Sequence, residues 1–332
     1  MGNKLTRILC NMFAIFVCLV CLAFNDASIE ASALTYGNYT YTVTNGEATI
    51  TYYSSNVGGD ITLPSKLNGY PVTGISKDIF SNCSSYVTSV IIPEGVVNIG
   101  DEAFDGLSKM TSITIPSSVK YIGKNAFYGC SSLTSIVIPE GVETINSYTF
   151  YGCRSLTTMT IPESVQSIGY NAFEYCTSLI SISIPNGVTT IGSGAFSRCS
   201  SLTDINIPEG ITILSTNVFA SCSKLVNVTI PSSVVTINEN AFNSCTSLTN
   251  IKISSGVETI VAGAFNNCSS LVNIEVDENN QNFYSVDGVL LSKDKKSLLI
   301  YPDGKTNTEY IVPDYITEIS RYLSIKLNLL EK

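Results

Sequence analysis

The chain has 332 residues, 11 cysteines, no histidine and no tryptophan, and 27 acidic against 18 basic side chains leave it a net charge of −9 at pH 7. The lack of histidine removes the usual general base, the usual hydrolytic triad and the commonest metal ligand together. The acidic balance argues against nucleic acid and anionic membrane as partners, because both are held through basic surfaces.

Residues 1–33 have the form of an export signal. Lys4 and Arg7 supply a positive start, Ile8 to Phe24 is an apolar run broken only by Asn11, and Ala31-Ser32-Ala33 is a small-residue cleavage site. Cleavage after Ala33 and a secreted or cell-surface location are the expectation; the rival is an uncleaved membrane anchor. Val20 before Cys21 is not the small residue that lipid attachment needs. Asp26 and Glu30 offset Lys4 and Arg7, so the mature chain keeps the same net charge.

From 34 to 60 the chain is rich in Tyr and Thr, and two alternating runs flank Asn45-Gly46, the signature of a β-hairpin. That hairpin is expected to cap the long array on its C-terminal side. Residues 61–276 are a repeat. Phenylalanine recurs at 104, 127, 150, 173, 196, 219, 242 and 265, and proline at 93, 116, 139, 162, 185, 208 and 231, a spacing of 23 each time. A fixed period of that size marks a solenoid, whose units bury their apolar faces only by stacking.

Within the unit Leu133–Ser155, Ile136 and Ile138 alternate with polar neighbours as in a half-buried strand, which Pro139 ends. Val142 to Ile145 predicts a second short extended piece. The position four before Phe holds Gly100, Gly123, Asn146, Gly169, Gly192, Ser215, Asn238 and Val261, which suggests positive φ there. A single helical or 3₁₀ turn is expected from that point to Cys153. After Leu271 the period breaks. Residues 277–312 carry Asp287-Gly288 between apolar runs and predict two inserted hairpin strands. Tyr310-Ile-Val-Pro313 restarts the unit, but 313–332 lack the Ala-Phe pair and form a degenerate or truncated last repeat.

The unit L-T-S-I-x-I-P-E-G-V-x-x-I-G-x-x-A-F-x-x-C-x-S resembles the BspA-type leucine-rich repeat over roughly residues 35 to 320. The resemblance implies a β-rich solenoid, a curved right-handed array of 23-residue coils with short helical or 3₁₀ turns. It also implies secreted or cell-surface proteins linked to adhesion. It transfers no functional residues, because the repeated positions are structural.

Chemistry outside the repeat positions is sparse. Cys83, Cys130, Cys153, Cys176, Cys199, Cys222, Cys245 and Cys268 share one position, which Leu107 fills once, so a small buried hydrophobe suits it better than a bridge between rungs. No Cys spacing fits zinc, Asp277 to Gln281 lacks the Gly and Glu of a calcium loop and is expected as a solvated turn, and no cofactor is implied. Glu140 and Glu163 would lie on adjacent rungs at the spacing of a retaining glycosidase pair, yet the same position elsewhere holds Ser and Asn, as ordinary turns do.

Two candidate binding surfaces remain. Tyr121, Tyr128, Tyr148, Tyr151, Tyr170 and Tyr175 gather in three consecutive units at positions that are otherwise polar, and tyrosine is a common interface anchor. Asp204, Asn206, Asn227 and Asn250 sit on the outward positions of the strand face, where a glycan or extended polar ligand would bind. The reading is an exported, non-enzymatic binding or adhesion module for a protein or glycan at the cell surface. The alternatives are a glycan-active protein and a structural segment of a larger surface assembly.

Overall fold

The computed structural model describes residues 32–55, 58–306, 309–320 and 328–330, so all but the last two residues of the expected export signal, and much of the last repeat, lie outside the described part. Among the described residues there is no helix, and so none long and apolar enough to cross a membrane.

Each turn of the solenoid takes 23 residues, and equivalent residues of neighbouring turns pair directly. Thr158–Thr160 runs parallel to Ser181–Ser183 with Thr158 opposite Ser181 and Thr160 opposite Ser183. A second side is made by shorter strands, such as Thr144–Ile145, Ser167–Ile168 and Thr190–Ile191, paired in the same register. The third side is a corner of turns around the phenylalanine. Here the ladder is unbroken: Phe104 N donates to Ala126 O at 2.9 Å, Phe150 N to Ala172 O at 2.8 Å, and so on to Phe242 N and Ala264 O at 2.8 Å.

The two strand sides are interrupted, which the sequence pattern does not indicate. Ile136 and Ile138 are buried as expected, but their segment joins no ladder, and the strand face divides there, between Ser112–Thr114 and Thr158–Thr160, and again between Ser181–Ser183 and Asp204–Asn206 and between Asn227–Thr229 and Asn250–Ile253. With the corner holding every coil to the next, the face can open locally without separating the stack. The short-strand side breaks at two places, before Thr144–Ile145 and before Ile213–Leu214. These are the coils in which Asn146 and Ser215 replace glycine. Where glycine is present, its amide closes the rung, as Gly123 N does to Ile99 O at 2.9 Å and Gly192 N to Ile168 O at 2.8 Å. Asn238 N and Val261 N do the same to Leu214 O at 2.9 Å and Ile237 O at 2.8 Å, whereas in the two interrupted coils the side chain takes that place: Asn146 Nδ2 donates to Ile122 O at 2.7 Å and Ser215 Oγ to Ile191 O at 2.6 Å.

This corrects the expectation of positive φ at that position. A Cβ on Gly192 would lie 2.6 Å from Tyr170 N and one on Gly169 2.5 Å from Ser147 N, so glycine is used there for close backbone approach. Positive φ falls instead two residues before and two after the phenylalanine, at Asn125, Tyr148, Asn171 and at Tyr175, Arg198, Ser221. Left-handed residues this close together stop a helix from propagating. The corner is accordingly a run of separate turns, with bonds such as Tyr151 N to Tyr148 O at 3.1 Å and Cys153 N to Phe150 O at 3.1 Å, and not the expected helical turn.

The core follows the corner. Phe104, Phe127, Phe150, Phe173, Phe196, Phe219 and Phe242 are fully buried and stack with ring centroids 5.3–5.7 Å apart. Beside them each cysteine from Cys130 to Cys268 donates its S–H to the Phe carbonyl of the preceding coil, as Cys130 Sγ does to Phe104 O at 3.2 Å and Cys268 Sγ to Phe242 O at 3.1 Å. All eight cysteines from Cys83 to Cys268 are buried and unpaired.

At the N-terminal side Tyr39–Thr44 and Glu47–Tyr53 pair across Asn45-Gly46, and Glu47–Tyr53 continues parallel to Tyr70–Ile75 of the first coil. Tyr53 meets Phe80 edge-on at 5.5 Å, which extends the aromatic column. At the C-terminal side the insert has three antiparallel strands where two were expected: Phe283–Val286, Val289–Ser292 and Ser297–Ile300. The stretch 277–281 is not a wholly solvated turn either. Asn280 is fully buried, and its Nδ2 donates to Ser254 O at 2.8 Å and Val257 O at 2.9 Å. Its Oδ1 accepts the amides of Asn282 and Phe283, both at 2.8 Å, so the buried amide ties the insert to the last regular coil.

Candidate binding surfaces

Four of the six tyrosines come together on the phenylalanine corner. Tyr128 and Tyr151 occupy the same position in adjacent coils, and their rings stack with centroids 4.6 Å apart and planes 3° from parallel. Tyr148 leans on Tyr151 at 5.9 Å, and Tyr175 meets Tyr151 edge-on at 5.5 Å. Tyr121 and Tyr170 are separate. Tyr121 lies on the short-strand side and donates to Asp101 Oδ1 at 3.4 Å, while Tyr170 is 61 % exposed and in no ring contact among the described residues.

Two features of this site were not singled out from sequence. The first is Arg198, one coil beyond Tyr175 in the same position. Its guanidinium lies over the Tyr175 ring, 4.7 Å from the centroid, hydrogen-bonds the Tyr175 hydroxyl and pairs with Glu174 at 3.8 Å. Burial pushes the Glu174 carboxyl above its ordinary range, and the Arg198 charge opposes that shift. The second is a strip of glycine. Gly106, Gly129 and Gly152 precede Tyr175 and Arg198 at that position, and all three have positive φ. The lack of side chains at Gly129 and Gly152 leaves a hollow of about 380 Å³ walled by Tyr128, Tyr151, Ser131 and Arg154. The three glycines, 23 residues apart, were the signal available in the sequence; the arginine carried none until the rings were placed.

The strand face is built differently. Asp204 and Asn227 stand directly opposite one another, and Asn227 Nδ2 donates to Asp204 Oδ1 at 2.5 Å. With a second bond from Thr203 Oγ1 at 2.7 Å, these contacts hold the Asp204 carboxyl below its ordinary range, Asn227 contributing most. Asn206 faces Thr229 on the same pair of strands. Asn250 belongs to the next pair, and its Nδ2 donates to Thr249 Oγ1 at 2.9 Å. Asp204 and Asn206 border a shallow hollow of about 850 Å³ that runs over Ser135, Thr158, Thr160 and Ser181. Several polar groups of this face therefore already satisfy one another.

A family model described as "BspA type Leucine rich repeat region" matches residues 49–180 and 166–286. Among solved structures, a leucine-rich repeat protein from Bacteroides ovatus is 26 % identical with a TM-score of 0.63, the match covering 89 % of this chain and 78 % of that one. A leucine rich cell surface protein from Faecalibacterium prausnitzii is 28 % identical over 76 % of this chain and 96 % of that one, with a TM-score of 0.37. The leucine-rich repeat protein of T. pallidum is 27 % identical over 72 % and 91 %, with a TM-score of 0.44. No curated protein matches the chain.

Proposed function

The chain belongs to the BspA-type leucine-rich-repeat family, and on that premise we propose that it is an exported, non-enzymatic adhesion module that presents its tyrosine corner to a protein partner at the cell surface. The observation that carries this reading is the joined set of Tyr128, Tyr148, Tyr151 and Tyr175, partly exposed and flanked by a glycine-floored hollow. Tyrosine offers a large apolar area with a polar tip at small entropy cost. The Ser, Thr and Asn side chains of the strand face compete with water and with each other for weaker bonds.

Export rests on the pattern of residues 1–33 and adhesion on the family. The absence of histidine from the sequence supports a non-enzymatic role. Residues 34–60 serve as the N-terminal cap of the array at 61–276, and residues 277–312 as an inserted module. The strand face around Asp204, Asn206, Asn227 and Asn250 is a second surface, suited to a glycan.

The test is a screen of the purified mature chain against matrix proteins and glycans, followed by two triple variants. One changes Tyr128, Tyr151 and Tyr175 to Ser; the other changes Asp204, Asn227 and Asn250 to Ala. Loss of protein binding in the first alone is the expected result. Loss in the second alone moves the site to the strand face, and undiminished binding by both removes it to the hairpin or the insert.

A further inference from the structure

The tyrosine column has two unlike ends. At the C-terminal end the chain supplies its own cation: Arg198 covers Tyr175, with Glu174 as its carboxylate. At the other end Tyr128 has one ring face on Tyr151, in the following coil. Its second face is directed toward the preceding coil, where the same position holds Asp105 in place of a ring. The two coils are joined there by Gly106 N donating to Tyr128 O at 2.8 Å, and Gly106 has no side chain to fill the space.

The charges around this open face are mostly acidic. Lys77 is the nearby cation, and it is engaged with Glu102 at 2.6 Å and Asp78 at 3.8 Å. The Asp105 carboxyl is pushed above its ordinary range by burial first and then by Asp78 and Glu102, so an added positive charge would relieve it. Arg154 borders the hollow at the Tyr151 and Gly152 end. It disfavours a cation there and leaves the Tyr128 end as the favourable one. The whole chain, at −9, draws in the same kind of partner.

We propose that the open face of Tyr128, with Asp105 beside it, seats an arginine side chain of a protein partner, repeating in trans the arrangement that Arg198, Tyr175 and Glu174 make within the chain. Arginine suits the place because its planar guanidinium stacks on a ring while bonding a carboxylate at its edge. This rests on the protein-binding reading above and names the chemistry of the partner that the reading leaves open.

The experiment uses the full mature chain with ¹³C-labelled tyrosine rings and a short extended peptide carrying two arginines, compared with the same peptide carrying citrulline. Tetramethylammonium chloride and a neutral oligosaccharide are the other probes. The Tyr128 signal is identified by its disappearance in Tyr128→Phe. The arginine peptide should move the Tyr128 and Tyr151 signals and leave Tyr170 in place, and citrulline should not. Tyr128→Leu should weaken binding about two- to fivefold, as expected for an exposed cation–ring contact, and Asp105→Asn should weaken it as well, while Tyr128→Phe should retain it. Equal response to citrulline, or full binding by Tyr128→Leu, overturns the arginine seat. So does stronger binding of the oligosaccharide at Tyr128, or of tetramethylammonium than of the arginine peptide. If a matrix protein is lost with the triple tyrosine variant yet bound normally by Tyr128→Leu, the arginine seat fails while the protein-binding role stands.

Discussion

Each buried cysteine from Cys130 to Cys268 does one thing that Leu107, fully buried at the same position, cannot. It gives a second donor to a Phe carbonyl that also accepts an amide of its own corner, as Phe127 O does from Cys130 N at 3.2 Å and Cys153 Sγ at 3.3 Å. Burial pushes the thiols up, Cys153 and Cys268 to about 12. An unfolded thiol titrates near about 8.5. Below that pH both states hold the proton and the contribution to stability is complete. As pH rises toward 12 the unfolded state loses its proton first, so stability falls. Melting temperature should therefore decline between pH 8 and 11, and Cys153→Ala should flatten that slope while costing roughly 1 kcal/mol at pH 7. A thiol reagent should label none of the eight promptly in native buffer and all of them in denaturant. Prompt native labelling would place the thiols outside the core.

The element that holds the array together is the phenylalanine corner. Phe173 stacks on Phe150 and Phe196, each 5.3 Å away, and its amide continues the ladder to Ala195 O at 2.8 Å. Phe173→Ala should cost about 3–5 kcal/mol by the usual balance of lost transfer energy and cavity. Neighbouring coils lose a ring contact on both sides, so the damage should extend past one coil. A melting curve checks the first statement, and protection of Phe150 and Phe196 amides from hydrogen exchange checks the second. An unmoved melting temperature would be incompatible with the buried stack.

Across the whole molecule the solenoid is not uniform. The corner runs through every coil, whereas the short-strand side stops where Asn146 and Ser215 insert their side chains into the rung. Local opening should start at those two seams, because fewer backbone bonds cross them. Native-state hydrogen exchange should find the Asn146 and Ser215 amides faster than those of Gly169 and Gly192, and the Phe150 and Phe173 amides slowest of all. Uniform rates along the array would show that the seams carry no weakness.

The period of 23, the inward Ile, Val, Leu, Phe and Cys positions and the hairpin at Asn45-Gly46 were determined by the sequence alone. Each depends on spacing or on a residue's own backbone preference, and both are local. The tyrosines were visible too, but as six residues of equal standing. Tertiary structure decided that four of them touch, that Arg198 closes one end of their column, and that no ring covers the other, where Asp105 holds the equivalent position one coil earlier. It also decided that the recurrent glycine four before Phe answers a neighbouring backbone and not its own φ, and that Asn280 is a buried tie instead of a solvated turn. Those outcomes depend on how one coil sits against the next, a distance of one rung that no single repeat records.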